Sequence, residues 1–141
     1  MPAVGILPLK GTEWSMYVSE HYGWADNRLR RLSLRPWGFS SIYAGYHGGE
    51  VITKPLTFVG SKLRINFSTS AVGSVRVEIQ DASGDAVPGY AMDDMQPVYG
   101  DRLDFPVSWK NGGNVGALAG LAIRLRFELK DADVFSIRFT D

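Results

Sequence analysis

A chain of 141 residues is the usual size of one domain and long enough to bury a core. Its 45% hydrophobic and 12% aromatic content excludes a disordered chain. Fifteen Lys and Arg offset by fifteen Asp and Glu leave no net field to draw nucleic acid or an anionic membrane, so neither is expected as a partner, and the lack of cysteine excludes disulfides, thiolate nucleophiles and sulfur-rich zinc sites.

The opening "MPAVGILPLKG" is interrupted by Pro2 and Pro8 and has no basic residue ahead of its apolar part, so it does not read as a secretory signal. Residues 1–11 are expected to be a loosely ordered N-terminal segment of one β-sandwich domain spanning 1–141. No apolar run approaches the roughly 20 residues of a membrane helix, and a soluble chain is expected. Its compartment is open: cytoplasmic as it stands, extracellular or periplasmic if it belongs to a secreted parent.

From there the dominant pattern is alternation, which puts every second side chain on one face of a strand. Short strands are expected at "EWSMYV", "LRRLSL", "FSSIYA" and "EVITKPLTF", the last at an edge or bulged because of Pro55. The pattern sharpens at "LRINF", where Leu63, Ile65 and Phe67 share a face, and at "VRVEIQ", where Val75, Val77 and Ile79 oppose Arg76, Glu78 and Gln80. It continues in "LDFPVSW", with Leu103, Phe105, Val107 and Trp109 on one side, in "IRLRFEL", where Ile123, Leu125, Phe127 and Leu129 oppose Arg124, Arg126 and Glu128, and in "VFSIRF". Turn chemistry separates these runs at Gly60-Ser61, Ser83-Gly84, Val87-Pro88-Gly89, Asn111-Gly112-Gly113 and Asp131-Ala132-Asp133. About eight or nine antiparallel strands, each with one apolar face, hide those faces by pairing sheets. The expected class is therefore all-β, a two-sheet antiparallel β-sandwich of jelly-roll type. The outward Arg76, Glu78, Arg124, Arg126 and Glu128 are expected to form a solvated face of mixed sign.

Site chemistry is sparse. Asp81 and Asp85 flank Ser83-Gly84 without the alternating oxygen ligands of a calcium loop. Asp131 and Asp133 could add ligands if their turn lay alongside, so a structural calcium stands as the alternative to an ordinary turn, and no other cofactor or metal is expected. The G-x-S-x-G elbow is missing. His21 and His47 carry no H-E-x-x-H or H-x-H spacing. A glycosidase needs two carboxylates about 5 to 10 Å apart, and Glu13, Glu20, Glu50, Asp93, Asp94, Asp101 and Asp104 are all conceivable, which singles out none. No catalytic residue is assigned.

The stretch "RPWGFSSIYAGYHGGE" stands out because Trp37, Phe39, Tyr43, Tyr46 and His47 fall among glycines, and nearby "SEHYGW" adds Tyr22 and Trp24. Aromatic faces stack on the apolar C–H faces of sugar rings, while hydroxyl, imidazole and carboxylate groups bond ring hydroxyls. Trp24, Trp37, Tyr43, Tyr46, His47 and Glu50 are thus the candidate ligand-binding residues, for a polysaccharide or oligosaccharide. Alternatively Phe39 and Tyr43 are core, and Trp37 or Trp24 packs against a neighbouring domain.

The stretches "LSLRPWGFSSIYAGYHGGEVITKPLTFVGSKLRINFSTSAVGSVRVEIQDASGDAVPGY" and "WKNGGNVGALAGLAIRLRFELKDADVFSIRF" resemble the C-terminal β-sandwich domain that follows a five-bladed β-propeller in bacterial proteins similar to glycoside hydrolases of the family 32 and 43 type. The likeness runs from about Leu7 to Phe139. It departs from the family pattern at Trp37, where a small or acidic turn residue is common, and at Met95, where cysteine is frequent. In those enzymes the catalytic carboxylates lie on the propeller. The resemblance therefore implies a non-catalytic accessory module that binds glycan or packs against a propeller domain. A small stand-alone glycan-active hydrolase, either a glycoside hydrolase or a carbohydrate esterase, is the alternative. A homodimer through an exposed sheet face is a further expectation.

Overall fold

The computed structural model describes residues 5–8 and 13–141; the expectation for the segment 1–11 falls largely on residues outside these. The chain is all-β with two antiparallel sheets, the class expected. Among the described residues there are eight strands: β1 (Leu7–Pro8), β2 (Trp14–Glu20), β3 (Arg28–Leu34), β4 (Ile42–Ala44), β5 (Gly49–Ile52), β6 (Lys62–Asp81), β7 (Asp101–Pro106) and β8 (Ile123–Thr140). Two single-turn 3-10 helices, Met92–Asp94 and Gly116–Leu118, complete the elements. They fall into two compact units, 1–40 and 41–141.

In unit 1–40, β1, β2 and β3 form a three-stranded sheet in that order. Trp14 pairs with Leu34, Met16 with Leu32 and Val18 with Arg30 on one face; Ser15 pairs with Ser33 and Tyr17 with Arg31 on the other. Trp37 lies edge-on to Trp14 at 4.8 Å between ring centroids, and Phe39 is tilted against Trp14 at 6.0 Å. Ser15 and Pro36 are the buried residues of this unit among those described.

Unit 41–141 is organised by β6 and β8, which pair antiparallel from Lys62 opposite Thr140 to Asp81 opposite Ile123. β4 and β5 hydrogen-bond to successive stretches of β8, and β7 lines the far edge of β6. The expected separate strands 63–67 and 75–80 are one strand, interrupted by a bulge between Thr69 and Ser74. Likewise the run 131–133, expected as a turn, lies inside β8. Asp131 takes a left-handed φ of 41°, which absorbs the irregularity without breaking the ladder. The phase of the apolar pattern slips there: Leu125, Phe127 and Leu129 are buried before the bulge, Ala132 and Val134 after it.

The core gathers Leu63, Ile65, Phe67, Val75, Val77 and Ile79 from β6 with Ile123, Leu125, Phe127, Leu129, Ala132 and Val134 from β8. The segment between these strands closes over them with Met95, Val107, Trp109 and Val115. Trp109 is held by its indole N–H, which donates to Val77 O at 2.9 Å, so the ring is buried with its polar group satisfied. The Met95 sulfur accepts from Val77 N at 3.0 Å.

The face of β6 and β8 away from this core carries the expected cross-strand ion pairs: Arg76 with Glu128 at 2.7 Å, and Arg126 with Glu78 at 3.3 Å. It is less solvated than expected. Glu78 is only 5% exposed and Gln80 is also buried, because the 3-10 turn Met92–Asp94 reaches over and Met92 N donates to Glu78 Oε2 at 2.9 Å.

Candidate functional site

The aromatic segment folds as β4, a four-residue turn and β5, all laid along β8. Ala44 pairs with Ala132 on the core side, which turns the intervening Tyr43, opposite Asp133, to the outer face. Gly48 N closes the turn onto Gly45 O at 2.9 Å, with Gly48 at φ 80°, a conformation that suits glycine. Gly45 O also accepts from Asp131 N at 3.0 Å. The turn is therefore fastened to the bulge of β8, and Tyr46 and His47 project from its middle.

Lys130, on the outer face opposite Ser74, places Nζ 4.8 Å from the centroid of the Tyr46 ring, a cation–π contact. His47 stands edge-on to the same ring at 6.2 Å. Tyr43 and Tyr46 are 64% and 62% exposed. Exposure of Tyr43 and Phe39 disposes of the alternative that they are core. Glu50 lies on the outer face opposite Glu128 and binds Arg126 at 2.6 Å. The resulting chain, Glu50–Arg126–Glu78, holds the Arg126 guanidinium above its usual range, the Glu50 hydrogen bond contributing most. Burial pushes the Glu78 carboxyl up, yet the Met92 N–H, Gln80 and Arg126 together hold it below the usual carboxylate range.

Tyr43, Tyr46, His47 and Glu50 are thus brought onto one short segment of unit 41–141, whereas Trp24 and Trp37 belong to unit 1–40. Trp24 sits in the turn joining β2 to β3, 75% exposed. There Trp24 N bonds His21 O at 2.9 Å, Asn27 N bonds Trp24 O at 3.1 Å, and His21 is paired with Asp26. Trp37 has φ 56° and follows Pro36 in a turn closed by Gly38 N to Arg35 O at 3.0 Å. Pro then a residue with positive φ is the type II arrangement, in which glycine or asparagine normally takes the third position. Tryptophan in that left-handed position carries backbone strain that glycine would not.

Several other carboxylates are engaged. Glu13 binds Arg31, Glu20 binds Arg28 and Arg30, Asp94 is 3.6 Å from Lys110, and Asp104 bridges Arg64 and Arg138 at 2.7 Å each. Asp81 Oδ1 accepts the backbone N–H groups of Ser83, Gly84 and Asp85 at 2.8, 3.0 and 3.1 Å, which is the self-bonding turn that Asp favours. Among the described residues no three His, Asp or Glu side chains gather as metal ligands. Sequence reasoning missed Lys130 and the burial of Glu78: both depend on partners far along the chain, and neither leaves a local signal beyond alternation. Comparison with family models, with curated proteins and with solved structures finds no match to this chain.

Proposed function

We propose that this chain is a non-catalytic accessory module of a carbohydrate-active protein, holding a polysaccharide or oligosaccharide through Tyr43 and Tyr46. The observation that carries this reading is a pair of exposed tyrosines, Tyr43 on β4 and Tyr46 on the fastened turn that follows it, the latter beside His47 and Lys130, with Glu50 on the next strand. Open aromatic surface supplies stacking for sugar C–H faces, and the flanking imidazole, ammonium and carboxylate supply donors and acceptors for hydroxyls. The turn is anchored to β8 by backbone bonds, so little ordering is lost on binding. Trp24 and Trp37 are further contacts of the same kind on unit 1–40, or the surface by which the module packs on a propeller domain.

The engagement of Glu50 with Arg126, Asp94 with Lys110 and Asp104 with Arg64 and Arg138 supports a binding role over a hydrolytic one, since these carboxylate oxygens are already occupied by partners within the chain. Affinity electrophoresis and titration calorimetry against a panel of plant and microbial polysaccharides test the reading. A glycan retained by the wild type should lose at least about tenfold in affinity with Tyr46→Ala or Tyr43→Ala. Retention of none, or retention that both variants leave intact, removes it; release of reducing sugar abolished by Glu50→Gln would establish the hydrolase instead.

A further inference from the structure

We infer that Lys54 and Arg124 form a seat for an oxyanion, a sulfate, phosphate or carboxylate group, on the outer face where the chain leaving β5 runs beside β8, independently of any glycan at the tyrosines. Ile52 pairs with Arg126, and Thr53 N bonds Leu125 O at 2.9 Å, so the same register carried one residue further sets Lys54 opposite Arg124. Pro55 is then the extra residue before pairing resumes between Leu56 and Ile123, a bulge of two residues against one. On the other side of Arg124 stands Gln80, which is neutral. Two cations therefore face each other on one rung of the sheet, an arrangement that costs stability when nothing lies between them.

The chain supplies no acid to answer them. Among the described residues neither the Lys54 nor the Arg124 side chain has an ion pair or a hydrogen bond. The carboxylates of the two neighbouring rungs are taken: Glu128 by Arg76 at 2.7 Å, Glu50 by Arg126 at 2.6 Å, and Glu78 by Arg126, Gln80 Nε2 and Met92 N at 3.3, 2.8 and 2.9 Å. The positive charge of this rung is thus left for a ligand.

Arg124 is the better marked of the two. Its Nε–H is shielded from solvent and meets no acceptor, a costly state for a donor on a charged group and one that needs a cause. Shielding at Nε lays the stem of this partly buried side chain against the sheet, so its two Nη groups are the donors left for a ligand and are presented from a fixed base. Lys54 is exposed and brings an ammonium on a flexible stem to the same rung. A planar fork of N–H donors beside a point charge suits the oxygens of one oxyanion, and an anion there offsets both the repulsion across the rung and the charge of the shielded guanidinium.

The probes are sodium sulfate and sodium phosphate, titrated into the full, isotope-labelled chain against sodium chloride at matched ionic strength, so that plain screening is common to all three. Sulfate and phosphate should shift the Arg124 Nε–H signal and the backbone amides of residues 54, 80 and 124 saturably, at least about tenfold more tightly than chloride. Lys54→Gln and Arg124→Gln should each weaken sulfate about tenfold, while Tyr46→Ala should leave it unchanged, which separates this seat from the glycan reading. Glucose 6-sulfate identifies the source of the anion: binding at the same residues about tenfold tighter than sulfate means that a sugar carries it, and equal binding means that a free ion fills the seat. The wild-type comparison of anions needs no variant, so a poorly folding variant does not weaken the test. Sulfate and phosphate binding no tighter than chloride, shifts centred away from residues 54, 80 and 124, or an affinity that Lys54→Gln and Arg124→Gln both leave intact would each overturn the inference.

Discussion

Glu78 shows how one residue ties stability to pH. Its carboxyl is almost wholly removed from solvent and held low by Met92 N–H, Gln80 and Arg126 against the opposing effect of burial. A group depressed in the folded state stabilises the fold above its unfolded value and loses that contribution as pH falls through the folded one. The loss therefore begins as pH drops past about 4.5, the ordinary value. Urea unfolding midpoints should fall steeply below that pH, and Glu78→Gln should reduce the slope, while Glu20 and Asp104, also held low by arginines, leave a residual one. A variant with the wild-type slope would show that the network contributes nothing. Residue roles of this kind were only half legible in the sequence. Alternation put Glu78 on the face opposite Val77, but nothing local announces the 3-10 turn that buries it. Trp37 was visible as an aromatic among turn residues; its left-handed backbone became apparent only with Pro36 and the closed turn.

At the scale of elements, the bulge shared by β6 and β8 governs how the larger unit is drawn. Gly73 sits where a Cβ would meet the carbonyl oxygens of Asp131 and Lys130, the latter at 2.7 Å, with Thr69 Cβ at 3.0 Å. Backbone atoms of a paired strand cannot swing aside as a side-chain tip can. Gly73→Ala should destabilise unit 41–141 by about 1–3 kcal/mol, read from chemical denaturation, while Gly84→Ala, which has open space but a φ of 99°, tests backbone strain alone. The bulge also explains where the strand pattern misleads. Each half of β6 and of β8 alternates cleanly, and between the halves stand Ser68 to Ser74 and Asp131 to Asp133, residue types that usually reverse the chain. Here they lengthen one strand against the other and the ladder goes on. Whether such a segment turns or bulges is decided by its partner strand, which local composition does not encode.

At the scale of the molecule, every member of the apolar core comes from residues 44–139, whereas unit 1–40 buries only Ser15 and Pro36 among its described residues. Chains of about 40 residues rarely supply enough burial to fold alone. A fragment spanning 41–141 should keep a dispersed amide spectrum and a cooperative transition, while 1–40 expressed separately should show neither; the reverse result would mean that the core is not where the stability lies. The all-β class was legible because alternation and turn chemistry recur along the chain. The division into two units was not, since the strands of both units read alike. The long pairing of β6 with β8 bears finally on the order of events during synthesis. β6 can pair with β7 once residues 101–106 are made, but its long ladder waits until residues 123–140 emerge. Closing so wide a loop before that ladder forms makes for slow, late nucleation, and over that interval the nascent strand is a natural client for a chaperone.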